Sequence, residues 1–287
     1  MSIRSSRKIS FLAVLLIYIA ASAVGIAVYC ATELSMWLSL LIADTAATVF
    51  VFIFSLIFRN SSVYDPYWSV QPIVILAALM IANGVNPARL LVFLTVAVWG
   101  VRLTANWAYT FKSLSHQDWR YTMLSEKCGA FYPIVNFVGI HYVPTLVVYL
   151  ATLPAAYVMV SDVNMNLPCA LALLLSLSAA ILQGAADIQM HKFRRSALGG
   201  FIRTGLWRHS RHPNYLGEIL MWWGIAFASL SLLGLEPYTF TGALANTVLF
   251  LTVSIPMADG RQSRKLGFAE YKSGTRMLLP IKRHGGK

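Results

Sequence analysis

The stretch Gly205-Leu206-Trp207-Arg208-His209-Ser210-Arg211-His212-Pro213-Asn214-Tyr215-Leu216-Gly217-Glu218 runs directly into an apolar segment that begins at Ile219. Two arginines, two histidines, an asparagine and a glutamate therefore stand at the mouth of a hydrophobic helix. In a membrane protein such a cluster is costly unless it has a partner or a ligand. Its Arg- and His-rich composition suits an anion, most simply a phosphate-bearing cofactor. An intramembrane enzyme is the first expectation.

Composition places the whole chain in the same class. Of 287 residues, 57% are hydrophobic and 12% charged, with a mean hydropathy of +0.64. A soluble domain carries about 25% charged residues, so the membrane class precedes any motif. Apolar segments fall near 9–31, 37–58, 69–83, 88–111, 133–160, 167–190, 214–233 and 238–257. Most reach the ~20 residues that a helix needs to cross a ~30 Å hydrocarbon core. The third is shorter and holds Gln71 and Pro72, which predicts a broken or tilted helix. Barrel strands would alternate apolar and polar residues in runs of about ten, and none of these segments does.

Basic residues test this reading. The connections after segments one, three, five and seven carry almost no Lys or Arg; Arg89, at the start of segment four, is the nearest. The opposite side collects Arg4, Arg7, Lys8, Arg59, Lys112, Arg120, Lys127, the basic 191–211 loop and the tail from Arg261. By the positive-inside rule that side is cytoplasmic. The expectation is an all-α integral membrane protein: a single domain, a bundle of about seven to eight transmembrane helices, both termini cytoplasmic.

The +12 net charge follows from this bias. It is confined to loops and ends on one side, so it reads as contact with anionic membrane lipids rather than nucleic acid. The 191–211 loop is denser than orientation needs, with Lys192, Arg194, Arg195, Arg203, Arg208 and Arg211 and no acidic residue among them. Cys30, Cys128 and Cys169 are widely spaced and suggest neither disulfides nor zinc. The N-terminal run has no small-x-small cleavage site and reads as the first span rather than a signal peptide. The tail 258–287 is expected to lie against the membrane face.

Several polar residues do not belong in a purely structural bundle. Asp65, in Tyr64-Asp65-Pro66, is either a helix cap or a buried carboxyl that meets a substrate carbonyl, alone or with Tyr64. Arg102 and Asn106 share a helix face. Asp118 and Arg120 either pair or wall a nucleotide pocket, with Trp119 or Tyr121 against a ring. Asp187, Met190, His191 and Arg194 form one stripe at spacings of three, four and seven. Arg194 and Arg195 offer forked donors to phosphate. Pro213 at a first helical turn would aim the helix N-terminus at the His209–His212 loop, which adds to an anion site. Asn214 and Glu218 lie one turn apart and supply both a donor and an acceptor, as a nicotinamide carboxamide requires. His191, His209 and His212 lack any metal-ligand pattern, so no metal is expected.

The series Arg102, Asp118-Trp119-Arg120, Asp187, Arg194, Gly205-Leu206-Trp207, His212-Pro213-Asn214-Tyr215-Leu216-Gly217-Glu218, Glu270-Tyr271 and Leu279-Pro280 resembles the steroid 5-alpha-reductase family, and its bacterial members above all. The resemblance covers about residues 60–280, with the N-terminal helices in 9–58 additional. It implies a membrane-embedded, NADPH-dependent reductase of an enone carbon–carbon double bond. A lipophilic substrate would enter from the bilayer and the cofactor from the cytoplasm of a bacterial inner membrane. By this resemblance Asp65, Tyr64 and Glu218 are the catalytic set. Arg102, Asn106, Asp118, Arg120, Asp187, His191, Arg194, Arg195, Trp207, Arg208, Arg211, His212, Asn214, Tyr215, Arg261 and Tyr271 form the cofactor-binding set. One position departs: Trp99 stands where steroid-reducing members have a ketone-gripping tyrosine.

Membrane methyltransferases of the isoprenylcysteine and phospholipid type share Arg-His-Pro-x-Tyr and use S-adenosylmethionine. They carry a paired Glu-Glu where this chain has Asp259-Gly260-Arg261, and a sulfonium needs fewer cations than the 191–211 loop offers.

Overall fold

The structure is a computed structural model that describes residues 4–196 and 199–280. Among these the chain is helix and connecting loop, without strand. Helices α1 (Arg7–Ala31) and α2 (Met36–Phe58) form one hairpin, α3 (Tyr67–Asn83) and α4 (Pro87–Thr110) a second. The short α5 (Trp119–Cys128) leads through α6 (Tyr132–Val135) and a π-helical stretch at Asn136–Tyr142 into α7 (Val143–Val160). Next come α8 (Leu167–Arg195) and α9 (Pro213–Leu233). The chain closes with α10 (Thr241–Leu249), a π-helical stretch at Phe250–Ser254, α11 (Ile255–Gln262) and α12 (Phe268–Gly274).

Eight helical segments are long and apolar enough to cross a membrane, in the order the apolar runs predict. Exposed Leu12, Leu15, Leu16 and Ile19 on α1 show the outward apolar face that lipid requires. The third segment is not broken. A 3-10 turn at Ser61–Val63 lengthens it to Ser61–Asn83, and helix continues through Pro72. Gln71, which suggested a break, donates to Asp44 Oδ2 on α2 at 2.9 Å.

Helix starts follow sequence chemistry. Asn86 accepts from the Arg89 amide at 2.8 Å with Pro87 next in line, and Asn166 accepts from the Cys169 amide at 2.8 Å. An Asn cap followed by an early Pro is a favoured helix entry. Arg89, the basic residue on the otherwise neutral side, has a structural task. Its Nη1 donates to the Asn83 and Gly84 carbonyls and its Nη2 to Ser161 O, tying the ends of α3 and α7.

Helices α8 and α9 pack closely along their length. A Cβ on Gly217 would lie 2.6 Å from Ala179 O, and one on Gly224 only 2.1 Å from Ser176 Oγ. Glycine at these two positions lets the helices approach at backbone distance, as small residues do within membranes.

The even-numbered connections meet at one end. Asn60 Nδ2 donates to Leu114 O (2.8 Å) and His116 O (3.1 Å), while the Ser115 amide donates to Arg4 O (2.9 Å). The tail lies there too, but it does not simply rest on the membrane. Its segment 276–277 accepts from the Arg211 and His212 amides at 3.0 and 3.2 Å, folding it over the bundle. Residues 281–287 of the basic tail, and 197–198 of the basic loop, lie outside the described residues.

Candidate cofactor site at the polar end

A cavity of about 920 Å³ opens at this end. The predicted stripe of Asp187, Met190, His191 and Arg194 forms one wall. Both polar residues of the α4 face reach that stripe. Arg102 Nη1 donates to Asp187 Oδ2 at 2.9 Å, and His191 Nε2 pairs with Asn106 Oδ1 at 2.7 Å. Asp187 Oδ1 also accepts from Asn214 Nδ2 at 3.4 Å. The other atom of that amide, Asn214 Oδ1, is buried without a hydrogen-bond partner among the described residues, and Asn214 lines the cavity.

The 205–218 motif mainly builds the roof. Trp207 Nε1 donates to Ala186 O at 3.1 Å, and the Tyr271 hydroxyl donates to the Trp207 carbonyl. Arg211 is buried and tied to the tail through both terminal nitrogens: Nη1 donates to Thr275 O (2.6 Å) and Lys272 O (3.3 Å), Nη2 to Asp259 Oδ2 (3.1 Å). His212 Nε2 meets Asp259 Oδ1 at 2.9 Å, and its ring stacks on Tyr215 with centroids 5.2 Å apart. Arg211 and His212 thus line the cavity while serving as clamps. Asp259, which joins them, carries no weight in the sequence reading beyond its contrast with Glu-Glu. One signal was present: it is the sole acidic residue between Glu236 and Glu270.

Charge on the walls is unbalanced. Asp118, Asp187 and Asp259 each have a cation, Asp118 through Arg120 Nε at 2.8 Å. Burial favours the neutral Asp118 acid, yet Arg120 beside it and Arg261 hold the carboxyl below its usual range. By contrast Lys112, Arg194, Arg261 and Lys265 line the cavity without a carboxylate partner among the described residues. Arg261 lies 4.3 Å above the Trp119 ring, itself on the wall. Burial, then Arg261 and Arg194, lower the Lys265 ammonium. Lys112 and Lys265 escaped the sequence reading because lone lysines in loops resemble topology signals.

The expected catalytic residues separate. Asp65 lines the cavity and accepts from the Tyr121 hydroxyl at 2.6 Å. It does not cap α3, whose cap position is Pro66 without a side-chain bond. Tyr64 turns away from the cavity, bonded to Thr145 Oγ1 at 2.9 Å and stacked on Tyr67. Glu218 is also outside it, 2% exposed, where its carboxylate accepts from Gln183 Nε2 (2.7 Å) and three indoles. These are Trp99 (2.8 Å), Trp222 (3.1 Å) and Trp68 (3.3 Å). Trp99 therefore faces Glu218 and has no free N–H to grip a ketone. Among the expected cofactor residues, Arg102 and Arg120 stand behind the wall as partners of Asp187 and Asp118. Arg195 packs on Tyr109 with its guanidinium 5.2 Å from the ring, and Arg208 is exposed outside the cavity. Asn106, Asp118, Asp187, His191, Arg194, Trp207, Arg211, His212, Asn214, Tyr215, Arg261 and Tyr271 all line it.

The chain is 28% identical over 217 residues to an uncharacterized protein of Schizosaccharomyces pombe, which covers 64% of this chain and 63% of that protein. The chain thus spans less than two thirds of that relative's length. No solved structure matches it. The family model described as "Protein of unknown function (DUF1295)" matches residues 51–275, the stretch that contains every wall of the cavity, and the chain belongs to that family.

Proposed function

We propose that the protein is a membrane-embedded, NADPH-dependent reductase of the carbon–carbon double bond in a lipophilic enone, with its cofactor cavity facing the cytoplasm of a bacterial inner membrane. The observation that carries this reading is the cavity's charge. Four cations without carboxylate partners among the described residues, Lys112, Arg194, Arg261 and Lys265, surround a space of about 920 Å³. A polyanion neutralises such a set, and forked guanidinium donors suit phosphate. A cation such as S-adenosylmethionine's sulfonium gains nothing from it. The family also includes steroid 5-alpha-reductase-like membrane proteins.

The residues present fit a dinucleotide. Arg194, Arg261, Lys112 and Lys265 would hold phosphates, and the Trp119 and Tyr215 rings offer flat apolar faces. Asn214 Oδ1, buried without a partner, would accept an N–H from a carboxamide. Asp187, gripped by Arg102, fixes the Asn214 amide in that orientation. The cofactor supplies the hydride.

Asp65 and Tyr121 are the chain's own means of polarising a ketone. In its protonated form Asp65 donates to the carbonyl oxygen while its other oxygen accepts from Tyr121. That arrangement stabilises the developing enolate oxygen. Its strength depends on water being displaced when the substrate and cofactor fill the cavity.

Thermal unfolding of the detergent-purified protein, titrated separately with NADPH, NADH and S-adenosylmethionine, tests the reading. A ligand that binds only the folded state raises the melting temperature by mass action. NADPH is expected to stabilise more than NADH, and S-adenosylmethionine not at all. Stabilisation by S-adenosylmethionine alone would assign the cavity to methyl transfer. Asp65→Asn is expected to slow enone turnover about a hundredfold with NADPH affinity unchanged, within the range for a general acid.

A further inference from the structure

A second cavity lies between α1, α2 and α3 and shares no lining residue with the first. Its volume is about 250 Å³. Small residues from all three helices make the space: Ala21 and Gly25 on α1, Ala43 and Ala47 on α2, Ala78 on α3. It extends to Cys30 and Asn83, at the end of the bundle opposite the cofactor cavity. At the inner end Tyr18 closes it, donating to Val63 O at 2.9 Å.

Asp44, Tyr67 and Gln71 stand together on its wall, deep within the spans. Asp44 is 4% exposed, Tyr67 5% and Gln71 6%. The Tyr67 hydroxyl donates to Asp44 Oδ1 at 2.6 Å, and Gln71 Nε2 donates to Asp44 Oδ2 at 2.9 Å. Each carboxylate oxygen therefore has a donor, and each donor an acceptor. Gln71 Oε1 remains, buried and without a hydrogen-bond partner among the described residues. Ionisable residues inside a membrane are expensive and usually serve a site. A buried acceptor left unmet is costly, because it has given up its hydrogen bond to water and gained none.

We propose that α1, α2 and α3 form a second binding site, for a single-chain lipophilic alcohol whose hydroxyl donates to Gln71 Oε1. The sense of the unmet bond selects the ligand. An acceptor needs a donor, and a hydroxyl brings one, whereas a ketone, ether or ester brings only acceptors. No Lys or Arg lines the cavity, so a phosphate headgroup finds no counter-charge. The volume, below the ~300–1,000 Å³ of ordinary ligand pockets, takes one chain rather than two. The site is independent of the reductase reading. Its α1 and α2 walls, Asp44 included, precede residue 51, where the family match begins, whereas Tyr67, Gln71 and the rest of the α3 wall lie within the match.

The test is photolabelling of the full chain in phospholipid nanodiscs, using dodecanol that carries a mid-chain diazirine. Labelled positions are mapped by peptide mass spectrometry. Label is expected on α1, α2 and α3, displaced by unlabelled dodecanol at least tenfold more effectively than by its methyl ether or the corresponding methyl ketone. Ala43→Phe, which fills the cavity, is expected to cut labelling at least tenfold with the melting temperature held within a few degrees. Gln71→Met is expected to erase the preference for alcohol over ether. Equal displacement by ether and alcohol, or stronger displacement by dodecylamine, would overturn the assignment. Label spread over lipid-facing Leu12 and Leu16 without competition would remove the site. Should neither variant fold, the wild-type competition decides alone.

Discussion

Asp187 and Asp259 at the polar end, and Asp44 and Glu218 within the spans, are four carboxylates largely removed from water, yet their partners differ in kind. Asp187 has Arg102; Asp259 has Arg211, His212 and, at 3.5 Å, Lys272. Asp44 has a phenol and an amide, and Glu218 has an amide and three indoles. Near the mouth a long cationic side chain can keep part of itself hydrated. Deeper in, a cation would bring its own desolvation penalty. Indole and phenol donors satisfy the acid without one, and their rings fill apolar space. Depth decides whether a charge or a dipole holds the carboxylate.

The largest expected effect comes from breaking the charged arrangement. Asp259→Ala leaves the buried Arg211 unpaired and releases His212. Loss of one partner of a buried pair costs about 3–5 kcal/mol. A large fall in melting temperature and tryptic cleavage within the tail are expected; an unchanged melting temperature would show that the roof does not depend on the pair. Next is Glu218→Ala, which orphans three indole N–H groups and one amide at once. A loss of about 3 kcal/mol is expected from at least one fully unsatisfied donor, with NADPH affinity preserved in thermal-shift titrations. If Glu218→Gln retained full stability but lost turnover, Glu218 would instead belong to the chemistry.

Arg194→Ala probes the unpaired cations. Because Arg194 has no carboxylate partner among the described residues, ligand-free stability should change by less than about 0.5 kcal/mol. Loss of one charge-assisted bond of roughly 1.5–3 kcal/mol should weaken NADPH binding about ten- to a hundredfold. Full affinity in this variant would sink the cofactor assignment. Asn214→Ala should weaken NADPH binding less, since a neutral bond is lost. The smallest effect concerns Lys265. Its ammonium is lowered in the free cavity by burial, Arg261 and Arg194, and a bound polyanion raises it again. Binding should therefore take up a fraction of a proton in the alkaline range and none near neutrality, read by calorimetry in buffers of different ionisation enthalpy. Proton release instead would reverse the sign of the field on Lys265.

How much of this was legible depends on the range of each interaction. The spans follow from apolar length, and the Asp187–Arg194 stripe from helical period, because both are local. Arg211 and His212 looked like phosphate ligands because a buried carboxylate and a phosphate call for the same donors. Their partner Asp259 lies more than forty positions away, |i−j| being 48 and 47. Tyr64 and Asp65 separate because the 3-10 turn at Ser61–Val63 sets their directions, and no periodicity announces such a turn. Asp44 passed unnoticed since one acid inside segment 37–58 changes neither its length nor its apolar character. Trp99 looked like a defective tyrosine and is instead one of three indoles around an acid.

The roof of the cofactor cavity also sets an order of assembly. Arg211 and His212 sit ahead of the last two spans, whereas the carbonyls and carboxylate that hold them belong to residues 259–277. During synthesis the ribosome delivers those residues last, Asp259 with the end of the eighth membrane segment and the carbonyls behind it. A chain arrested at Ser254 would insert seven complete spans and most of the eighth, yet would leave Arg211 buried without its counter-charge. The roof over the cavity therefore closes only after residues 259–277 have been made, later than every other wall.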